Sequence, residues 1–460
     1  MLKQILTWKV TWKNAWRDIC RTGGDGVAAR VLEWRGVERV PPEARHGRPA
    51  QLFTLWFAAN LGFPAWVIGV LAVSLEPDWR LALGAVVVGA LIGSVLVAGA
   101  AALGPGTGLG SLPQSARAFG LVGVKLPALL NWVSCAGWFA VNTVLGTEAV
   151  QSLLGWPVAP AFAVMVLVQV GLAIFGYDMI HRVERAASVV LLLLFAYLAV
   201  HTAGAGGPVA AGAADWPMAI LTVAISASYL FSWGPYAADY SRYLPADTPA
   251  RRVFWWAFLG SLGSTAGVMA LGVLMAVRFR VASDMGLLAA GAGHLAPVAY
   301  LAVVGGTVTA NVLNVYTGAT STLTLGIGRD RVQAAVLTGI LGSALTLIGI
   351  NGGFATQYEN FLLLLSYWVA PWLAILFWDH VRPLAAARPV GPGVWAFVVG
   401  VAASVPFMSQ TLWTGWVARA WGGADVAYYM GFLVAGVTYW YWSRPRETPA
   451  APKPVGRVPA

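Results

Sequence analysis

Charge is what this sequence has least of. Only 10% of its 460 residues are Asp, Glu, Lys or Arg, against about 25% in soluble proteins. So few charges cannot solvate the surface of a globular chain of this length, which excludes a soluble enzyme or domain. Cysteine is scarcer still. Cys20 and Cys135 are the two present, in segments of very different character, and they support neither a disulfide framework nor a zinc-type Cys/His cluster. The five histidines are scattered through loops and the ends of apolar segments. Without an Asp-rich metal motif or a His/Glu constellation, membrane-enzyme chemistry has no residues to run on. No catalytic residue, resident metal or cofactor is therefore expected. The first 50 residues hold no long apolar run, so no cleavable signal peptide is expected there.

Apolar length is what the sequence does have. Hydrophobic residues make up 58% of the chain and the mean hydropathy is +0.69. Twelve apolar stretches can be read: 51–75, 81–103, 121–147, 159–176, 185–203, 216–238, 253–277, 295–326, 332–349, 357–378, 393–411 and 425–442. Each is long enough for a membrane helix. Helices satisfy their own backbone hydrogen bonds, as a bilayer requires. The expected class is an all-α, multi-pass membrane protein of twelve spans.

Lys and Arg placement tests this map. With both termini on the inner side, the N-terminal tail holds ten, the C-terminal tail four and the five inner loops eleven, while Arg80, Arg278, Arg280 and Arg419 alone fall outside. That asymmetry is the positive-inside rule, and it explains the net charge of +10 without a nucleic-acid partner. The expected location is a plasma or inner membrane, with both termini cytoplasmic. Residues 1–50 then form a basic tail, in which 1–26 read either as an interfacial helix or as loosely ordered chain. Residues 443–460, rich in Pro and Ala, read as a disordered tail.

Two spans carry helix breakers at matching places. Span 1 reads Ala59-Asn60-Leu61-Gly62-Phe63-Pro64, and span 6 reads Phe231-Ser232-Trp233-Gly234-Pro235-Tyr236. Pro removes a donor and Gly weakens the helix, so both segments should unwind or kink. Paired breaks five spans apart are the mark of an inverted repeat, here 51–203 and 216–378, with 393–442 as two accessory helices. Unwound backbone at membrane depth needs a polar user, and the ionisable residues map to span ends. A neutral polar substrate is therefore expected.

Side chains at depth indicate its shape. Trp138 and Asn142 share one face of span 3 at i, i+4. They offer a flat π surface beside an amide with one acceptor and two donors. That pair suits a flat heteroaromatic ring, although helix–helix packing could use it as well. Trp233, with Ser232 beside it, stands at the span 6 break, either as a second stacking ring or as an interfacial anchor. In span 8, Thr307, Thr309, Asn311 and Asn314 are polar. Two buried Asn on an apolar helix are costly unless they are bonded, and Thr309 either binds a cation or bonds its own helix.

Three motifs carry a family resemblance. "EWRGVERVPPEARHGRPAQLFTLWFAANLG" (33–62), "GWFAVNTVLGTEA" (137–149) and "SWGPYAADYSRYLP" (232–245) resemble the first, third and sixth helices of purine–cytosine permeases, in the nucleobase–cation symporter family. The resemblance spans about 33–445. It implies a leucine-transporter-type five-plus-five fold with two extra helices, and alternating access coupled to Na⁺ or H⁺. It further implies ring stacking by Trp138 and Trp233 (Phe231 being a rival for the second ring), and edge recognition by Asn142 and Asn314, with Asn311 nearby. Backbone from Gly62 would complete the pocket. Sodium-coupled members carry two adjacent hydroxyl residues in the eighth helix. Here Val308-Thr309 supplies one, which speaks against Na⁺ and leaves H⁺ open for a cation site at Ala59, Gly62 and Thr309.

The reading is a symporter importing a purine or pyrimidine base such as cytosine, working as a monomer in the bilayer. Allantoin, a hydantoin or a thiamine-precursor pyrimidine would suit the same residues. An amino acid could use the span 1 helix termini, but the Trp138/Asn142 pair argues against it. A passive channel would need a continuous polar stripe, which is absent.

Overall fold

The computed structural model describes residues 38–175, 177–206, 210–327, 331–384 and 388–443. The expectations for residues 1–26 and for the tail after Arg444 lie outside these. Helices account for the architecture, and among the described residues the one β contact is an isolated bridge between Ser409 and Thr414.

The apolar runs and the links between them become α1 (Gln51–Ala59), α2 (Phe63–Leu75), α3 (Trp79–Ala102), α4 (Ser111–Phe119), α5 (Lys125–Leu154), α6 (Val158–Phe175), α7 (Tyr177–Gly204) and α8 (Trp216–Phe231). They continue as α9 (Ala250–Phe279), α10 (Asp284–Ala292), α11 (Ala296–Leu325), α12 (Arg331–Asn351), α13 (Phe354–Val381), α14 (Pro392–Ser404) and α15 (Ala427–Trp442). Helix starts follow local chemistry. The Asp78 carboxylate accepts from the Arg80 N–H at the head of α3, and Pro64 and Pro217 sit in first turns, where a missing N–H costs nothing. Every one of the twelve apolar stretches contains a helix or a helix pair. Among the described residues eight helices are long and apolar enough to cross a bilayer, and the bent pair α1/α2 makes nine. The helices at the fourth, eleventh and twelfth stretches (α6, α14 and α15) are shorter or less apolar.

The helices pack in groups. α9 lies along α1, α2 and α3, and α3 lies along α8. Small residues let these backbones touch, as suits packing in lipid. A Cβ on Gly69 of α2 would stand 1.9 Å from the Met269 carbonyl oxygen of α9, and one on Gly272 would stand 2.2 Å from that of Trp66. A second group joins α5 to α6, α11 and α12, while α13 packs on α8 and carries α14 and α15.

The connections gather at two ends. At one, the Val40 N–H donates to the Gly108 carbonyl and Leu121 N–H to that of Arg388. There too Arg117 Nε donates to Asp379 Oδ2 at 2.6 Å, and the Tyr439 hydroxyl donates to Asp379 Oδ1 at 2.7 Å. At the opposite end the Gly212 N–H donates to the Pro77 carbonyl, and the Glu76 carboxylate accepts from Asp78 N–H and Asp215 N–H. Arg39, Arg45, Arg117 and Arg242 belong to the first end.

The two Gly/Pro segments differ. α1 and α2 meet at 57°, with Gly62 extended at φ −145° and ψ 151°. Span 6 instead tightens into a 3₁₀ turn, Gly234–Tyr236, and runs on as Ala237–Ser241.

Candidate functional site

The site is built on α5. Its residues are apolar on nearly every face, because it lies buried between neighbouring helices. Trp138 is 9% exposed and stands edge-to-face with three rings: Tyr229 of α8 at 5.6 Å, Phe361 of α13 at 5.4 Å and Tyr358 of α13 at 6.1 Å between centroids. Such geometry sets the positive edge of one ring against the π face of another. Asn142, one turn further on, is buried, and its Nδ2 donates to the Trp138 carbonyl at 2.8 Å. A carbonyl oxygen can only accept, so that contact fixes which end of the amide faces the helix.

α11 descends antiparallel beside α5. A Cβ at Gly146 would meet Thr307 Oγ1, Asn311 lies against Phe139 and Thr143, and Asn131 lies against Ser321. That register puts Asn314 level with Trp138 and Thr309 level with Thr143. Asn311 is fully buried. Its Nδ2 donates to the Phe139 carbonyl at 2.9 Å and to Thr143 Oγ1 at 3.1 Å, while its Oδ1 accepts from Asn314 Nδ2 at 3.1 Å. Thr143 Oγ1 also contacts Gln169 Oε1 of α6 at 2.8 Å. Asn311 therefore ties α11 to α5 and holds Asn314, which is half-buried at the Trp138 level.

A chain with these motifs on this scaffold has known counterparts. Residues 39–385 match the family model described as "Permease for cytosine/purines, uracil, thiamine, allantoin". The chain belongs to this permease family. It is 30% identical over 447 residues to the purine–cytosine permease-type protein YxlA of Bacillus subtilis, covering 90% of this chain and 96% of that one. It is 27% identical over 467 residues to the purine–cytosine permease fcyB of Emericella nidulans, covering 91% of each. The fold is that of Mhp1 in its inward-facing conformation, with a TM-score of 0.72 at 16% identity over 90% of this chain and 94% of that one. Mhp1 closed around bromovinylhydantoin gives 0.69 at 15% identity, over 89% and 95%.

The remaining candidates in the permease sit as follows. Trp233 keeps its ring against Trp56 of α1 at 5.7 Å and Tyr236 at 6.2 Å, and neither ring contact involves Trp138. Phe231 is fully buried and packs on Tyr428 of α15, 5.5 Å away, so its ring is engaged on the accessory side. Ser232 Oγ donates to the Tyr229 carbonyl, capping α8. Thr309 Oγ1 contacts the Gly305 and Gly306 carbonyls of its own helix at 3.1 and 2.9 Å, an arrangement that uses the hydroxyl proton and leaves oxygen lone pairs. Gly62 donates its N–H to the Asn60 carbonyl, and its own carbonyl accepts from Ala65 and Trp66. Ala59 ends α1, where helix carbonyls lose their helical partners. Asn60 is fully buried with Nδ2 on the Trp56 carbonyl, and among the described residues its Oδ1 has no partner.

Sequence reading did not single out Tyr229, Tyr358, Phe361, Thr143 or Gln169. Tyr229 carried a usable signal, standing four residues before Trp233 on one helix face. The α13 rings carried none, since only folding brings span 10 to span 3. Phe354, on the same helix, lines a cavity. This cavity of about 790 Å³ opens at the end away from residues 38–50, lined by Val67, Leu71, Glu148, Gln151, Tyr300 and Phe354, among others. Phe354 stacks on Tyr358 at 5.6 Å and 6°, and Tyr358 abuts Trp138. The Tyr358 hydroxyl donates to the Pro64 carbonyl, at the foot of α2.

Proposed function

We propose that this permease is a secondary active symporter that imports a purine or pyrimidine base, or a closely related ring such as a hydantoin, by alternating access. One observation carries the reading: Trp138, walled by Tyr229, Tyr358 and Phe361, has Asn142 on its own helix and Asn314 at its level. A flat neutral ring stacks on Trp138 once these rings open, and the two amides read its polar edge. Trp233 meets the other face of the ring. The kinship with purine–cytosine permeases supports the nucleobase class, and the vitamin B6 transporter of Saccharomyces cerevisiae, 25% identical over 511 residues, supports heteroaromatic rings more widely.

The repeats run over 51–203 and 216–378, with 393–442 as accessory helices. The bundle of α1, α2, α3, α8 and α9 rocks against α5, α6, α11 and α12. The termini lie on the cytoplasmic side of the plasma or inner membrane, and the chain acts as a monomer. Coupling is by Na⁺ or H⁺ near Ala59, Gly62 and Thr309. Val308 beside Thr309 leaves a single hydroxyl there, which favours H⁺.

The test is uptake into proteoliposomes of radiolabelled cytosine, uracil, hypoxanthine and hydantoin, under imposed Na⁺ or pH gradients. Uptake of at least one ring, stimulated severalfold by one gradient, is expected. Equal uptake without either gradient rules out symport, and failure of every ring rules out the substrate class.

A further inference from the structure

Asn131, Cys135, Trp138 and Asn142 lie on one face of α5, at i, i+4, i+7 and i+11. The second pair forms the site described above. The first pair lies up to two turns inward and has no role in it, yet it is polar and fully buried at membrane depth. Asn131 Nδ2 donates to Ser321 Oγ of α11 at 2.9 Å and reaches Cys135 Sγ at 4.0 Å. Among the described residues Asn131 Oδ1 has no hydrogen-bond partner. An unsatisfied amide oxygen away from water is costly, so intramembrane polar groups of this kind usually serve a ligand.

The fourth member comes from the other side of the moving interface. Tyr236 closes the 3₁₀ turn of span 6, and its hydroxyl meets Cys135 Sγ at 3.0 Å. Trp233 stands edge-on to the Tyr236 ring, with Trp56 behind it. Tyr236 thus presents what a substrate would present: a flat ring with a polar atom at its edge, against a Trp and facing an amide, a thiol and a hydroxyl. It belongs to the rocking bundle, whereas Asn131, Cys135 and Ser321 belong to the group it rocks against. Inward opening must withdraw it, Trp233 moving with it, and withdrawal leaves a slot of ring-like shape against Asn131, Cys135 and Ser321.

We infer that Asn131, Cys135 and Ser321 form a second, inner subsite for the transported ring, filled alternately by Tyr236 and by the departing heterocycle. The inference rests on the transport reading above. In it, the substrate exchanges the amides at Trp138 for those at Asn131 without facing bare hydrocarbon, and Tyr236 resets the path afterwards.

Cys135 provides the test. In a Cys20→Ser protein it is the single thiol. Inside-out vesicles are treated with N-ethylmaleimide, with and without cytosine, uracil or hypoxanthine, in the Cys20→Ser parent and with Trp138→Ala added. At least one ring should slow alkylation of Cys135 fivefold or more even in the Trp138→Ala background. Protection that vanishes with Trp138, or a thiol that never reacts, overturns the subsite. As an independent arm, Asn131→Ala should raise KM from the inner face tenfold or more and from the outer face no more than twofold, with Ser321→Ala standing in should Asn131→Ala not fold. Equal effects on both faces overturn it. If the Cys20→Ser parent transports none of the rings, the transport reading itself fails and the subsite falls with it.

Discussion

Two segments that each set Gly close to Pro, one in each half of the chain, break their helices in different ways. In span 1 the backbone leaves the helix. Gly62 is extended, Pro64 opens a new helix, and α2 departs at 57° from α1. In span 6 the backbone stays right-handed. Trp233 keeps φ −80° and ψ −13° and Pro235 falls inside a 3₁₀ turn, held by Trp233 N–H to the Leu230 carbonyl and Tyr236 N–H to that of Trp233. The order of the two breakers decides the outcome. Gly two residues before Pro frees an extended residue between two helices, and Pro then sits in the first turn of the second, where a backbone N–H would have gone unused. Gly directly before Pro removes one α-type donor only, and i→i+3 bonds bridge the gap. The first break therefore bends the span, and the second preserves the spacing of Tyr229, Trp233 and Tyr236. In the proposed mechanism the first serves as a hinge and the second carries rings.

If rings dominate recognition, the largest loss comes from the ring all the others surround. Trp138→Ala should weaken binding by about 3 kcal/mol, the upper end for base–aromatic stacking and roughly a hundredfold in Kd. Equilibrium binding of radiolabelled base to purified, folded protein measures it, and retained tight binding removes Trp138 from the site. Asn142→Ala comes next, at about 1–2 kcal/mol for one lost hydrogen bond to the ring. A change of a few tenths would mean that the amide serves only the Trp138 carbonyl it already contacts.

How much of this was legible is clearest at these same residues. Trp138 and Asn142 could be found because a helix period relates them, and the Gly/Pro pairs because they interrupt apolar runs. The partners of Trp138 could not, because Tyr358 and Phe361 reach it from α13 through tertiary packing. Asn311 shows the opposite limit. Two Asn at i, i+3 read as two candidate ligand contacts, yet one amide is occupied by the Phe139 carbonyl and Thr143 and holds the other in place. Composition distinguishes a bonded amide from an available one only once the neighbouring helix is present.

The proline pair tests the asymmetry directly. Pro235→Ala restores an N–H within reach of the Phe231 carbonyl, so α-type bonding competes with the 3₁₀ turn and rotates Trp233 against Tyr236. A rise in KM of about fivefold, or roughly 1 kcal/mol, is expected. Pro64→Ala adds an N–H in the first turn of α2, where no helical acceptor waits, and should change KM less than twofold. Equal effects would mean that the two breaks work alike.

The smallest effect should come from Gly62, the residue most suggestive of a functional glycine in the sequence. At φ −145° it needs no left-handed conformation, and an added Cβ would meet only Pro64 Cδ, at 3.5 Å, an ordinary contact. Its carbonyl already accepts from Ala65 and Trp66, and its N–H is given to Asn60. Gly62→Ala should therefore leave stability within about 0.5 kcal/mol, read as the thermal midpoint, and Kd within twofold. The small size is what makes this measurement decisive for the first break. If the substrate or the cation leans on main chain there, it does so through groups that every residue carries, and Ala preserves them. A tenfold loss in Gly62→Ala, with folding intact, would instead mean that the ring packs against the bare α-carbon. The first break would then be a wall of the pocket in its own right, and the division of labour between a hinge in span 1 and rings in span 6 would have to be given up.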